Sequence, residues 1–256
     1  MSIQEEQETS NAVSAGSKKR KRPDLIADQI RERIVTSGLQ VSDRVPTAWV
    51  DPEQMGASRG TTREALKLLE FQGLITTKTG PGGGVFVSAI ETDHAIRFLD
   101  NLFLFEPPSI ADIYALRKTL EPELAASVAG RLSAEQFGRL QALINLYEDD
   151  PKSADEEYKQ RLAELDFHKE LAKASPNSLL GFVCRFLLSL LTDKTECRAI
   201  YSEPTPWRLR EQGINYQVRL LRALKVGDQE QARSIMRDHM IDAEAFMLER
   251  AVLIRP

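Results

Sequence analysis

The sequence predicts a mainly α-helical protein in two parts: a small N-terminal α domain with one β-hairpin, then an all-α antiparallel bundle. Three observations lead there. Residues 58–87 read as a short helix followed at once by a glycine-tipped hairpin. From Ser109 onwards, apolar residues recur at helical spacing with no strand-like alternation. Charge divides the same way. Residues 18–90 hold 12 Lys/Arg against 8 Asp/Glu, a net of +4, and residues 1–17 hold three Glu and no base. With a total of −4, residues 91–256 therefore carry −5. A basic N-terminal part on an acidic remainder suits a protein that touches nucleic acid with one part only.

Taken in order, residues 1–17 are rich in Ser, Gln and Glu and are expected to be disordered. Lys18-Lys19-Arg20-Lys21-Arg22 completes a basic arm over 1–22. An arm reaching phosphates, a nuclear-import signal and a solvated tail are all open readings of that run. Asp24–Gly38 forms the first helix, with Ile26, Ile30 and Ile34 on one face and Gly38 as its stop. Leu39–Pro46 connects. Thr47–Gly56 should be helical, yet it contains Asp51-Pro52. Proline costs about 3 kcal/mol inside a helix and is tolerated at the first position behind an Asp cap. This helix is therefore expected to start near Asp51 or to be displaced.

The next helix starts near Arg59, where Ser58 is the N-cap and Thr61 with Glu64 offers an alternative capping box. Thr62, Ala65, Leu66 and Leu69 form its buried stripe, and Arg59, Arg63 and Lys67 line the opposite face. Gly73 ends it. Leu74–Thr79 and Val85–Ser88 read as strands around the turn Gly80-Pro81-Gly82-Gly83-Gly84. A cationic helix beside a hairpin able to touch the adjacent phosphates is a winged helix-turn-helix, here spanning 23–88. Its partner is double-stranded DNA.

Residues 89–108 read as a linker whose Phe103, Phe105 and Pro107-Pro108 suggest docking. The bundle then occupies 109–251, with helices near 109–130, 133–148, 154–174, 177–194, 208–226 and 229–251. Asp149–Ser153 and Gly227 punctuate it, and Asp228-x-x-Gln231 makes a capping box for the last helix.

Several function classes are disfavoured. Cys184 and Cys197 are too few for a disulfide framework and lack metal-site spacing. No apolar run approaches the roughly 18 residues of a membrane span, and the N-terminus lacks a signal-peptide core, so a cytoplasmic location is expected. There is no convincing nucleophile, no phosphate-binding glycine loop before a helix and no cofactor fingerprint, so no catalytic role is expected.

The bundle turns a few polar side chains inward. His239 lies on an apolar face with Ala232, Ile235, Met236, Ala243 and Phe246. His168 stacks one turn after Glu164, so the two can hold one ion. Gln217 lies in a stripe with Leu220, Leu221 and Leu224. Unpaired buried polar groups cost about 1–3 kcal/mol each, so these should share a partner. A bound divalent ion, a hydrogen-bonded core cluster and direct contact with a ligand are the open readings.

These motifs resemble the GntR family of bacterial transcription regulators, in particular its FadR-like subfamily with an FCD ligand-binding domain. On the DNA side the resemblance rests on Ser58-Arg59-x-x-x-Arg63-Glu64-Ala65-Leu66-x-x-Leu69-Glu70-x-x-Gly73-Leu74 and on the wing with Val85-Phe86-Val87. In the bundle it rests on Arg117-x-x-Leu120-Glu121, Phe167-His168-x-x-Leu171, Ser175-x-Asn177, Ala223-Leu224-x-x-Gly227-Asp228 and Ala232-x-x-x-Met236-x-x-His239. The resemblance implies a homodimer that binds a palindromic operator and responds to a small organic acid, with repression relieved by that acid as the expected sign. It implies that Arg59, Thr61 and Arg63 meet bases and phosphates, with Arg44, Ser58, Thr62 and Lys67 in the same DNA-binding set. Gly82 and Gly83 would approach the minor groove. Trp49, where relatives usually carry an arginine, and Asp51-Pro52 depart from the pattern.

In metal-binding members an Asp and three His hold a divalent ion that in turn holds a carboxylate effector. Glu164, His168, Gln217 and His239 occupy those places here. The resemblance thus implies zinc, nickel or manganese on Glu164, His168 and His239, with Gln217 a weak ligand or effector contact. Arg117 is the residue expected to pair with the anionic effector, unless a salt bridge to Glu121 occupies it. The alternative is a DNA-binding regulator whose degenerate, metal-free bundle serves mainly in dimerisation.

Overall fold

A computed structural model describes residues 20–146, 151–193, 200 and 207–254. The chain divides into two compact units, the first ending at Glu91 and the second beginning at Thr92.

In the first unit, α1 (Arg22–Thr36) buries Ile26, Ala27, Ile30 and Ile34. The Asp24 carboxylate accepts from the Lys21 amide at 3.1 Å, and Pro23 sits where no intrahelical donor is needed. Arg20 reaches Asp28 at 2.7 Å and Arg22 donates to the Gly56 carbonyl at 3.1 Å, so the C-terminal end of the expected basic arm is anchored to the domain. Its residues 1–19 lie outside the described part. Helix α2 (Arg59–Phe71) packs on α1 and buries Thr62, Ala65 and Leu69. Ser58 Oγ accepts from the Thr61 amide at 3.1 Å, the first of the two caps the sequence offered. At Gly73 φ is +70°, and a Cβ there would meet Ile90 Cγ1 at 2.3 Å, so glycine is required on both counts.

Strands β1 (Ile75–Lys78) and β2 (Gly84–Val87) pair antiparallel, Ile75 opposite Val87 and Lys78 opposite Gly84. The segment Ser42–Val45 runs along β2, with Val45 donating to Val85 and Val87 donating to Asp43, both at 2.8 Å. Ile75, Val85 and Val87 close the core with Val45 and Met55. Trp49 is half-buried against that core.

The helix expected within Thr47–Gly56 does not form. A single 3-10 turn covers Thr47–Trp49, followed by turns in which Met55 donates to Asp51 and Ala57 to Pro52, each at 3.0 Å. Pro52 has no N–H to continue a helix begun at Thr47, and its ring would strike the carbonyl four residues back. Restarting at Asp51 leaves too few residues before Gly56, where φ is +57°.

The second unit is helical throughout its described residues. The span expected to be a linker contains α3 (Thr92–Asp100) and a 3-10 turn at Asn101–Phe103. Helix α3 docks on the helix Ser178–Asp193 through Asp93–Arg185 and through Ser189, which donates to Asp100 at 3.2 Å. The bundle comprises α4 (Ile110–Val128), α5 (Ala134–Asn145), α6 (Ala154–Lys173), α7 (Ser178–Asp193), α8 (Trp207–Val226) and α9 (Gln229–Ile254). Ser109 with Asp112, and Ser133 with Gln136, form capping boxes. Asp228 accepts from the Gln231 amide at 2.9 Å. The long α9 lies along α4 as the largest helix pair.

Two apolar cores result. One joins Leu124, Leu140, Phe167, Leu171, Leu220, Leu224 and Met236, and the other joins Ile113, Tyr114, Leu165, Leu187, Leu191 and Met247. Cys184 belongs to the first as a free thiol, pushed up to about 12 by burial and by the Glu121 carboxylate; Cys197 lies outside the described residues. No described helix is long and apolar enough to cross a membrane.

Candidate DNA-binding face and candidate metal centre

On the first unit, helix α2 presents Arg59, Arg63 and Lys67 exposed along one side, opposite its buried stripe. Ser58 caps the helix, and its hydroxyl lies 2.8 Å from that of half-buried Thr61. Thr62 is a correction to the expected DNA-binding set. It is 3% exposed on the core side of α2, and its hydroxyl has no hydrogen-bond partner among the described residues. Its position in the apolar stripe decides its fate. Arg44 is exposed and donates to the Gly83 carbonyl at 2.7 Å, tying the connector to the wing. Gly82 has φ +78°, and a Cβ on Gly83 would lie 2.6 Å from the Lys78 carbonyl oxygen, so the wing tip is tight enough to exclude side chains. Bare backbone can approach a groove closely for that reason.

In the second unit, the polar residues meet between the two apolar cores, around a cavity of about 260 Å³. Tyr114, Arg117, Glu164, His168, Tyr216 and His239 all line it. Helix α4 contributes a buried pair, Arg117 and Glu121, at 1% and 0% exposure. The Arg117 Nε donates to Glu121 Oε1 while its guanidinium lies 4.8 Å from the Tyr114 ring centre. The other Glu121 oxygen accepts from His168 Nδ1 on α6. Burial alone would raise the Glu121 carboxyl, but Arg117 and His168 outweigh it and hold it well below the usual carboxylate range.

An ionised Glu121 can only accept, so His168 carries a proton on Nδ1, and in the tautomer with that proton alone the lone pair lies on Nε2. His168 Nε2 lies 2.9 Å from the Tyr216 hydroxyl, which donates to it in that tautomer. His239 on α9 faces His168, ring centres 5.3 Å apart, and its Nε2 lies 3.4 Å from Glu164 Oε1. Burial drives His239 well below the usual histidine range, with His168 and Arg117 adding to the effect, so its imidazole is neutral at pH 7. Burial likewise raises Glu164, against the pull of His168, Arg117 and Arg161.

Glu164, His168 and His239 thus offer one carboxylate oxygen and two imidazole nitrogens, all within 4.8 Å of one another. Two imidazoles and a carboxylate are a donor set suited to a first-row divalent ion, and the residues fit such an ion. Gln217 does not join them. It is 1% exposed, does not line the cavity, and neither amide atom has a hydrogen-bond partner among the described residues. The neighbouring Tyr216 takes the inward place, because α8 turns that edge of its buried stripe toward the cavity.

Sequence reasoning missed two members of this cluster. Glu121 was visible only as an i+4 partner for Arg117, although its second oxygen fixes His168. Tyr216 carried no signal of its own beside Gln217.

Comparison with known proteins gives a consistent picture. Residues 112–242 match the FCD domain. The chain is 28% identical over 219 residues to the uncharacterized HTH-type transcriptional regulator YcbG of Bacillus subtilis (strain 168), covering 84% of this chain and 87% of that one. It is 26% identical over 229 residues to a putative L-lactate dehydrogenase operon regulatory protein of Escherichia coli (strain K12), covering 86% and 84%. Among solved structures, Streptococcus agalactiae GntR superposes with a TM-score of 0.59 at 21% identity, covering 87% of this chain and 99% of that one. The chain belongs to the FCD-domain family, and the relatives it matches over most of their length are named as a transcriptional regulator and an operon regulatory protein.

Proposed function

We propose that the chain is a homodimeric repressor of the FadR-like type, not an enzyme. It binds a palindromic operator through Arg44, Ser58, Arg59, Thr61, Arg63, Lys67 and the Gly82-Gly83 wing tip. Arg63 is suited to read guanine bidentately, and the other cations to neutralise phosphates. The bundle senses a small carboxylate. The observation that carries this reading is the convergence of Glu164, His168 and His239 beside Arg117 on one cavity. A zinc, nickel or manganese ion held there would supply a fixed positive charge for an acid's carboxylate. The 260 Å³ cavity suits an acid of a few heavy atoms. The operon named for one relative makes L-lactate the first acid to try. Effector binding would alter the placement of the two DNA-binding heads, whose half-sites demand fixed spacing.

Elemental analysis of the purified protein tests this directly, with His239→Ala beside it. About one divalent ion per chain in wild type and none in the variant is the expected result. No ion in either, even after incubation with zinc, nickel and manganese, overturns the metal reading. It would favour a bundle that serves mainly in dimerisation.

A further inference from the structure

We propose that Tyr216 is a latch on the buried histidine centre, holding both imidazoles in a closed arrangement that a divalent ion must open. The inference rests on the metal reading above and adds to it a positioning residue outside the donor set. Its hydroxyl lies 2.9 Å from His168 Nε2 and donates to it in the tautomer whose proton is on Nδ1. An ion bonded to that nitrogen at about 2.0–2.1 Å uses the same lone pair, so the hydroxyl and the ion exclude each other. The Tyr216 ring also lies flat on His239, with centres 3.3 Å apart and planes within 11°. One side chain therefore engages the donor nitrogen of the first histidine and covers the face of the second.

Glu121 makes the competition sharp. By taking the Nδ1 proton it leaves Nε2 as the nitrogen that serves either Tyr216 or an ion. Tyr216 is 7% exposed and belongs to the apolar core formed with Leu220, Ala223 and Leu224 of the same helix. Its release on loading therefore perturbs the packing of α8. Ion occupancy is thereby coupled to the position of a helix, and not to the cavity alone.

The test is a zinc titration of the metal-free full-length chain, in competition with a chromophoric chelator, for wild type, Tyr216→Phe and His239→Ala. Phenylalanine keeps the ring on His239 and deletes only the hydroxyl. Losing one competing hydrogen bond should tighten zinc binding roughly five- to tenfold, at about 1 kcal/mol per bond. Zinc should also change the tyrosine absorbance of wild type, and that change should be absent in Tyr216→Phe. A side chain serving only to fill the core would not improve affinity when shortened. Equal affinity in wild type and Tyr216→Phe overturns the latch and leaves the metal reading standing. Weaker binding by the variant overturns it too, by making the phenol oxygen a ligand. Zinc binding by neither protein removes the metal reading and the latch together, whereas binding by Tyr216→Phe alone supports both.

Discussion

Replacing Glu121 by alanine removes a carboxylate shared by Arg117 and His168, at a position with 0% exposure. The Arg117 guanidinium, 1% exposed, then keeps its charge in the interior without that partner. Breaking a buried pair from one side costs about 3–5 kcal/mol. For a unit of this size each kcal/mol lowers Tm by about 2–4 °C, so the bundle transition should fall by roughly 6–20 °C. Calorimetry on the full-length chain separates that transition from the N-terminal unit's. The pH dependence gives an independent check. The Glu121 carboxyl is held below its ordinary value of 4.5, so its contribution is complete above that value and is lost as pH falls toward the folded-state value. The gap between wild type and Glu121→Gln should therefore be widest near neutrality and narrow below about pH 4.5. A loss under about 1 kcal/mol in Glu121→Ala would show that the pair does not organise the site.

Three further outcomes follow from the same geometry. Gln217→Met removes two amide atoms without partners among the described residues and keeps the side-chain length. It should raise bundle stability by about 1–3 kcal/mol, read as a higher urea midpoint, and a lower midpoint would mean the amide is satisfied in solution. Gly83→Ala forces a Cβ to 2.6 Å from the Lys78 carbonyl oxygen. It should weaken DNA binding at least about tenfold with the bundle transition unmoved, and unchanged binding would take the wing out of the interface. Arg63→Ala should abolish specific DNA binding while the chain remains folded and dimeric, and wild-type binding would show that α2 does not enter the groove.

Most of the fold was legible because its signals are local. Ser58 and Asp228 announce helix starts by cap chemistry, and the glycine run announces the wing. Asp51-Pro52 was legible as a conflict but not in its outcome, since propensity prices a proline without saying whether a helix moves or dissolves. Helix α3 was hidden because it is nine residues long and buries Ile96 while Phe98 stays exposed, so no apolar stripe marks it, and the prolines after it suggested a connector. Within the site, helical spacing stacked Glu164 with His168 and placed His239 on an apolar face, and the family resemblance joined the three. Gln217 and Tyr216 were not separable in that way. Both lie on the buried stripe that includes Leu220, and a period of 3.6 does not say which edge of a stripe faces a cavity. Glu121 was read as a rival partner for Arg117, because an i+4 rule sees one helix and not the histidine on the next.

We propose that the buried histidine centre controls the DNA-binding face. It is tested most directly by fluorescence anisotropy on DNA enriched from a random-sequence selection, with and without zinc plus L-lactate, for wild type and His239→Ala. The metal and acid should change wild-type affinity by tenfold or more, about 1.4 kcal/mol of coupling, and leave His239→Ala unmoved. The same shift in both proteins, or a panel of small carboxylates with zinc, nickel or manganese that moves neither, would contradict it.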